Sequence, residues 1–141
     1  MWIKSYSMVT KEVTKEQMWQ LWSDVNRWPV WDKSLETTKL EGEFAAGNSY
    51  IFQPKGSPKM KLKIHEAVVN HKFTDITSFP LAKMYGEHTF EETRDGLKLT
   101  TTMKVVGLLG FLWRKLVAQK IVDSLPQDML TQIEAAKKLQ P

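Results

Sequence analysis

Alternating apolar and polar positions dominate the middle of the chain. In residues 59–65, Met60, Leu62 and Ile64 alternate with three lysines and His65. Because successive side chains of a strand point to opposite faces, this pattern predicts a half-buried antiparallel strand. Less regular alternation, in stretches separated by turn sequences such as Asp95-Gly96, predicts further strands. The predicted strands cover residues 2–10, 34–42, 48–53, 59–65, 73–79, 83–93 and 97–106.

Helical spacing of apolar residues follows the first predicted strand. Thr14 and Gln17 fit a capping box, in which each side chain satisfies a free backbone N–H of the other residue. Pro29 cannot continue that helix unbroken, which predicts a second short helix over residues 26–31. The buried stripe of the first helix consists of Met18, Leu21, Trp22 and Val25.

Helical spacing returns at the end of the chain, over residues 109–139. Val122, Leu125, Met129 and Ile133 form one apolar stripe. Pro126 lies inside this stretch, which favours a kinked or two-part helix.

These elements together predict an α+β fold. A curved antiparallel sheet of about seven strands wraps around the long C-terminal helix, and two short helices lie between strands 1 and 2. A strongly bent sheet does not pack against one helix along its whole length. We therefore expect a single domain, residues 1–141, with a cavity between the sheet and the C-terminal helix.

Four short stretches carry a resemblance to a known superfamily. They are Trp28-Pro29-Val30-Trp31-Asp32, Glu41-Gly42-Glu43-Phe44-Ala45-Ala46-Gly47, His88-Thr89-Phe90-Glu91 with Asp95-Gly96 behind it, and Val106-Gly107 before the last helix. In these stretches, and in their order, the chain resembles the START-like (SRPBCC, helix-grip) superfamily, in particular its polyketide cyclase/dehydrase-like branch. The resemblance implies an internal cavity that takes up apolar small molecules such as lipids, sterols, quinones or polyketides. Some relatives are cyclases or dehydratases.

We therefore predict that the chain binds an apolar small molecule, such as a lipid or a polyketide. The alternatives are a polyketide cyclase/dehydratase-like enzyme and a membrane or protein interaction module that uses the same groove. The ligand-binding candidates share a position that turns them toward the cavity or its edge. They are Trp31, Tyr50, Phe52, Met84, His88, Phe90, Thr101, Met103, Trp113, Val117 and Ile121.

His88 is the one inward-facing acid–base candidate. Alternation places it on the same face as Met84 and Phe90. A histidine there can be a structural residue held by a backbone group or water, can orient a ligand oxygen, or can act as a catalytic acid or base. No second inward ionisable group accompanies it in the predicted elements, which counts against the enzyme.

Composition narrows the remaining possibilities. The chain has no cysteine, which excludes disulfides and thiol catalysis. Its three histidines lack the spacing of metal ligands, so we expect neither a metal nor a cofactor. A net charge of +4 is modest, and no motif points to nucleic acid. No signal sequence or spanning apolar run is evident, which suggests a soluble, cytoplasmic protein.

The run Leu108-Leu109-Gly110-Phe111-Leu112-Trp113 is too apolar for one helix face to bury. It is followed by Arg114 and Lys115. Four interpretations remain open: a cavity mouth, a transient membrane contact, packing against the helix around Trp28–Trp31, or the interface of a homodimer.

Overall fold

The computed structural model describes residues 1–140. Its strands are β1 (Trp2–Thr10), β2 (Leu35–Glu41), β3 (Ser49–Pro54), β4 (Met60–Val68), β5 (Lys72–Phe79), β6 (Ala82–Thr93) and β7 (Gly96–Val106). Its helices are α1 (Lys15–Ser23), α2 (Trp28–Trp31), α3 (Gly110–Trp113) and α4 (Gln119–Ala136). A 3₁₀ turn, Val25–Arg27, precedes α2, and a π-helical turn, Arg114–Ala118, joins α3 to α4.

All seven strands form one curved antiparallel sheet in the order β1-β7-β6-β5-β4-β3-β2. Strands that follow one another along the chain are neighbours, except that β1 pairs with β7 at the other end of the series. The α+β helix-grip architecture predicted from the sequence is therefore confirmed, including the two short helices between β1 and β2.

The capping box predicted at the start of α1 is present. The Gln17 backbone N–H donates to Thr14 Oγ1 at 3.1 Å, and the Thr14 N–H donates to Gln17 Oε1 at 2.9 Å. Met18, Leu21 and Trp22 are buried by this helix. The capping box fixes the first residue of α1 and therefore the face on which its apolar stripe lies. This stripe faces the sheet, where Trp22 packs against Phe73 and Phe90 of the inner face.

The C-terminal helix is not divided at its proline. α4 continues through Pro126, and the irregular backbone lies earlier, in the π-helical turn. Of the two alternatives at Pro126, a helix divided in two there is therefore wrong, and a kink stays a prediction. A proline removes one backbone donor, but packing of Leu125, Met129 and Ile133 on the core compensates for that loss.

The apolar core is divided into three clusters. One joins α1, α4 and the inner face around Trp22 and Phe90, and a second joins Trp28 to Tyr50 and Ile64. A third, around Met84, Met103, Val105 and Ala118, shares no packing residue with the other two within residues 1–140. Domains commonly have one contiguous core. Here the interior between sheet and C-terminal helix is not packed as one unit.

Candidate functional site

A chain of four polar side chains crosses the inner face of the sheet. The Tyr50 hydroxyl donates to Asp75 Oδ2 at 3.0 Å. His88 Nε2 lies 3.5 Å from the same carboxylate oxygen. On the other side of the ring, His88 Nδ1 lies 3.3 Å from Thr101 Oγ1. Four strands, β3, β5, β6 and β7, each contribute one member.

Strand register explains why these residues meet. Asp75 pairs with Gly86 in β6, and His88 pairs with Phe73 in β5 and with Thr101 in β7. Across β4, Asp75 pairs with Ile64, beside a bulge at His65. Residues paired across strands have side chains on the same face. Asp75 and His88 are thus diagonal neighbours on two central strands.

Gly86 leaves the room that the Asp75 carboxylate occupies. A Cβ atom at this position would lie 2.8 Å from Asp75 Oδ1 and 3.4 Å from His88 Nε2. The first distance is too short for any side chain to be accommodated without movement. The glycine is required here by close approach and not by an unusual backbone angle, since its φ is outside the left-handed region.

Tyr50 is held in its neutral form. Burial raises the pKa of its phenol well above the ordinary value of 10.0, and the neighbouring Asp75 carboxylate raises it further by charge and by hydrogen bonding. Tyr50 therefore keeps its proton at neutral pH and is a hydrogen-bond donor to Asp75.

The middle of this polar chain is not completely covered. The His88 side chain keeps 20% of its surface exposed and that of Asp75 keeps 11%, although both lie on central strands. Phe73 stacks on the His88 ring at 4.5 Å, and Trp22 approaches its edge at 5.8 Å. These contacts orient the imidazole and leave part of it uncovered.

A further polar group on the same face has no partner. Thr77 pairs with Met84 and shares the inward parity of Asp75 along β5. Its hydroxyl is buried, and within residues 1–140 it makes no hydrogen bond. Such unsatisfied groups are uncommon in folded proteins.

The predicted ligand-binding residues are distributed over four places. Seven lie on the inner face of the sheet: Tyr50, Phe52, Met84, His88, Phe90, Thr101 and Met103. Val117 and Ile121, on the C-terminal helix, pack against the cluster that contains Met84 and Met103. Of the sheet residues, Tyr50 and Phe90 are almost completely buried. Their role as ligand contacts stays a prediction.

Trp113 and Trp31 lie away from the polar chain. Trp113 stacks on Phe79 at 4.5 Å and donates its indole N–H to the Pro80 carbonyl at 3.0 Å, so it supports the β5–β6 turn. Trp31 lines a groove of about 670 Å³ between α1, α2 and α4. None of Tyr50, Asp75 and His88 lines that groove.

Sequence reasoning missed Asp75, the second ionisable group of the site. The prediction that His88 has no inward ionisable neighbour was therefore wrong. A signal was present, because Asp75 shares its parity with Phe73 and Phe79 in β5. The mixed composition of that strand concealed the alternation.

Residues 1–140 contain no cluster of three His, Asp or Glu side chains that would hold a metal ion. In the same range, no helix has the length and hydropathy needed to cross a membrane.

No family model matches the chain, and no curated protein matches it in sequence.

Solved structures, in contrast, match nearly the whole chain. A START superfamily protein from Mycobacterium smegmatis is 14% identical, with a TM-score of 0.68 over 94% of this chain and 97% of that one. Ara h 8.0201 is 13% identical, with a TM-score of 0.70 over 96% and 98%.

The di-domain ARO/CYC StfQ from the steffimycin biosynthetic pathway is 13% identical, with a TM-score of 0.73. The match covers 96% of this chain and 49% of StfQ, so the chain spans about half of that protein's length. The chain has the helix-grip fold that these solved structures share.

Proposed function

We propose that the protein binds a small, mainly apolar molecule that carries a hydroxyl group, between the inner face of the sheet and the C-terminal helix. One observation carries this proposal: the Asp75–His88 pair keeps some exposed surface on a mainly apolar inner face. Ligand sites commonly combine apolar walls with a few polar groups that set orientation.

The apolar walls supply most of the affinity. Met84 and Met103 on the sheet face Val117 and Ile121 on the C-terminal helix. Burial of ligand surface there contributes about 25 cal/mol per Å². Methionine side chains adapt to ligands of different shape, which suits a site for apolar molecules.

The Asp75 carboxylate would orient the bound ligand. Asp75 Oδ2 already accepts a hydrogen bond from Tyr50 and lies 3.5 Å from His88 Nε2, whereas Oδ1 makes no hydrogen bond within residues 1–140. A ligand hydroxyl donating to Oδ1 would gain a charge-assisted hydrogen bond. The known START, Ara h 8 and ARO/CYC structures support the fold of a ligand-binding protein, while the hydroxyl preference follows from these residues alone.

Calorimetry with two matched probes tests the proposal. We expect 2-naphthol to bind about tenfold more tightly than 2-methoxynaphthalene, which cannot donate a hydrogen bond. Asp75→Asn should reduce this preference severalfold, and His88→Phe should reduce it while keeping the stacking on Phe73. His65→Phe, on the exposed face of β4, is the control and should keep the wild-type preference.

Two outcomes would contradict the proposal. One is binding of both probes with equal affinity to the wild-type protein. The other is no binding of either probe, together with native mass spectra that show no co-purifying apolar molecule.

A second candidate function is acid–base catalysis of the cyclase or dehydratase type. The contact between Asp75 and His88 favours it, because a carboxylate can hold an imidazole in the orientation that proton transfer requires. His88 would then move a proton of the bound ligand. Retained probe binding with lost turnover in His88→Phe would separate this function from binding alone.

A further inference from the structure

A group of large apolar side chains projects from the end of the molecule where β7 leads into α3. We call it the apolar tip; it consists of Leu81, Leu108, Phe111, Leu112 and Leu116. Their exposed fractions range from 37% for Leu112 to 82% for Leu108. Single exposed apolar residues are ordinary, but a contiguous group of this size marks an interaction surface.

The fold cannot bury this tip, because the other side of the same helical segment is already packed. Gly110 and Ala118 are buried, and Trp113 is stacked on Phe79. Phe111 and Leu112 lie on α3, Leu116 lies in the π-helical turn that follows, and Leu108 lies in the turn before α3. Leu81 joins them from the β5–β6 turn, where its carbonyl accepts the Leu109 N–H at 3.0 Å.

The surroundings of the tip are cationic. The segment between Asp95 and Asp123 contains no acidic residue. Arg114, Lys115 and Lys120 lie on it, and Lys83 follows Leu81 in β6. Within residues 1–140, none of these four cations forms a salt bridge.

We infer that the apolar tip docks on the surface of an anionic phospholipid membrane. Leucine and phenylalanine would enter the boundary of the acyl chains, and the lysines and arginine would contact headgroup phosphates. A second copy of the chain fits less well, because a symmetric contact would bring the same cations together.

Docking would also place one end of the proposed ligand site near lipid. Val117 and Ile121 follow the tip along the C-terminal helix and pack on Met84 and Met103. The inference does not depend on the proposed function, since membrane binding is measured without any ligand.

Sedimentation with vesicles tests the inference. We expect the wild-type protein to bind vesicles of mixed phosphatidylcholine and phosphatidylglycerol, and not vesicles of phosphatidylcholine alone. Phe111→Ser with Leu116→Ser should weaken binding at least about tenfold. Val69→Ser, at an exposed site in the β4–β5 turn, is the matched control and should bind as the wild type does.

Two double charge-reversal variants distinguish attraction by the cations near the tip from attraction by the net charge of the protein. Lys115→Glu with Lys120→Glu should weaken binding by about fivefold or more for each site. Lys55→Glu with Lys59→Glu changes the net charge equally in the exposed β3–β4 turn and should have a smaller effect.

Three results would overturn the inference. The first is no binding of the wild type to anionic vesicles. The second is an equal loss in both charge-reversal variants, which would show attraction by net charge alone. The third is a wild-type dimer that does not bind vesicles and becomes a monomer in Phe111→Ser/Leu116→Ser, which would assign the tip to a second copy.

Discussion

His88 Nε2 lies 3.5 Å from Asp75 Oδ2, although neither residue pairs directly with the other in the sheet. They are diagonal neighbours, separated by the side-chain-free position Gly86. This relationship joins an acid and an imidazole on a surface that is otherwise mainly apolar.

The Asp75–His88 contact should appear as an energetic coupling. We expect Asp75→Asn and His88→Phe to be non-additive by about 1 kcal/mol in the free energy of unfolding, measured by urea denaturation. The pair Asp75→Asn and His71→Phe is the control, since His71 lies in an exposed turn. Additivity of the first pair within a few tenths of a kcal/mol would refute a functional contact.

Gly86→Ala should destabilise the protein by about 1–3 kcal/mol, because the added Cβ would displace the Asp75 carboxylate. Gly110→Ala is the control. A Cβ there would lie 3.5 Å from Val105 Cγ1, an ordinary contact, and alanine is the better helix former. Urea denaturation of both variants measures the difference, and a Gly86→Ala protein as stable as the wild type would argue against tight packing at this site.

Tyr50 should make stability depend on alkaline pH. Because burial and Asp75 raise the pKa of Tyr50 in the folded protein, the folded state holds its proton where the unfolded state loses it. The contribution of Tyr50 to the free energy of unfolding is complete below about pH 10 and falls as the pH rises further.

Urea denaturation between about pH 8 and 11 measures this loss, which should be smaller in Tyr50→Phe. Tyr85→Phe removes a hydroxyl from the other face of the sheet and serves as the control. Identical alkaline slopes in the wild type and Tyr50→Phe would be inconsistent with a buried phenol beside a carboxylate.

Asp128 should destabilise the protein slightly at neutral pH. Partial burial raises its pKa and the nearby Asp32 adds to this, while the hydrogen bond from Ser124 lowers it. The folded state therefore favours the protonated acid, so this contribution is present in acid and is lost as the pH rises through the folded pKa.

Asp128→Asn removes the charge, and we expect a rise in Tm of about one to two degrees at neutral pH, with a smaller difference in acid. Differential scanning calorimetry of the wild type and Asp128→Asn measures the Tm difference at neutral and at acid pH. A lower Tm at neutral pH would show that the Ser124 hydrogen bond outweighs burial.

The local sequence pattern was sufficient to predict most of the architecture. Alternation in β4, β6 and β7 correctly assigned the inward side chains, His88 among them, because a strand has a strict period of two. The Thr14–Gln17 capping box likewise located the start of α1, since its hydrogen bonds involve only neighbouring residues.

The register between neighbouring strands is defined only by the folded chain. Asp75 and His88 meet through the register of β5 on β6, and a bulge at His65 sets how β4 meets β5. The exposure of Leu108 and Phe111 likewise depends on Trp113 occupying the inner side of its helix. Periodicity determines which face a residue takes within its own element, whereas contacts between elements depend on registers and packing that only the tertiary structure defines.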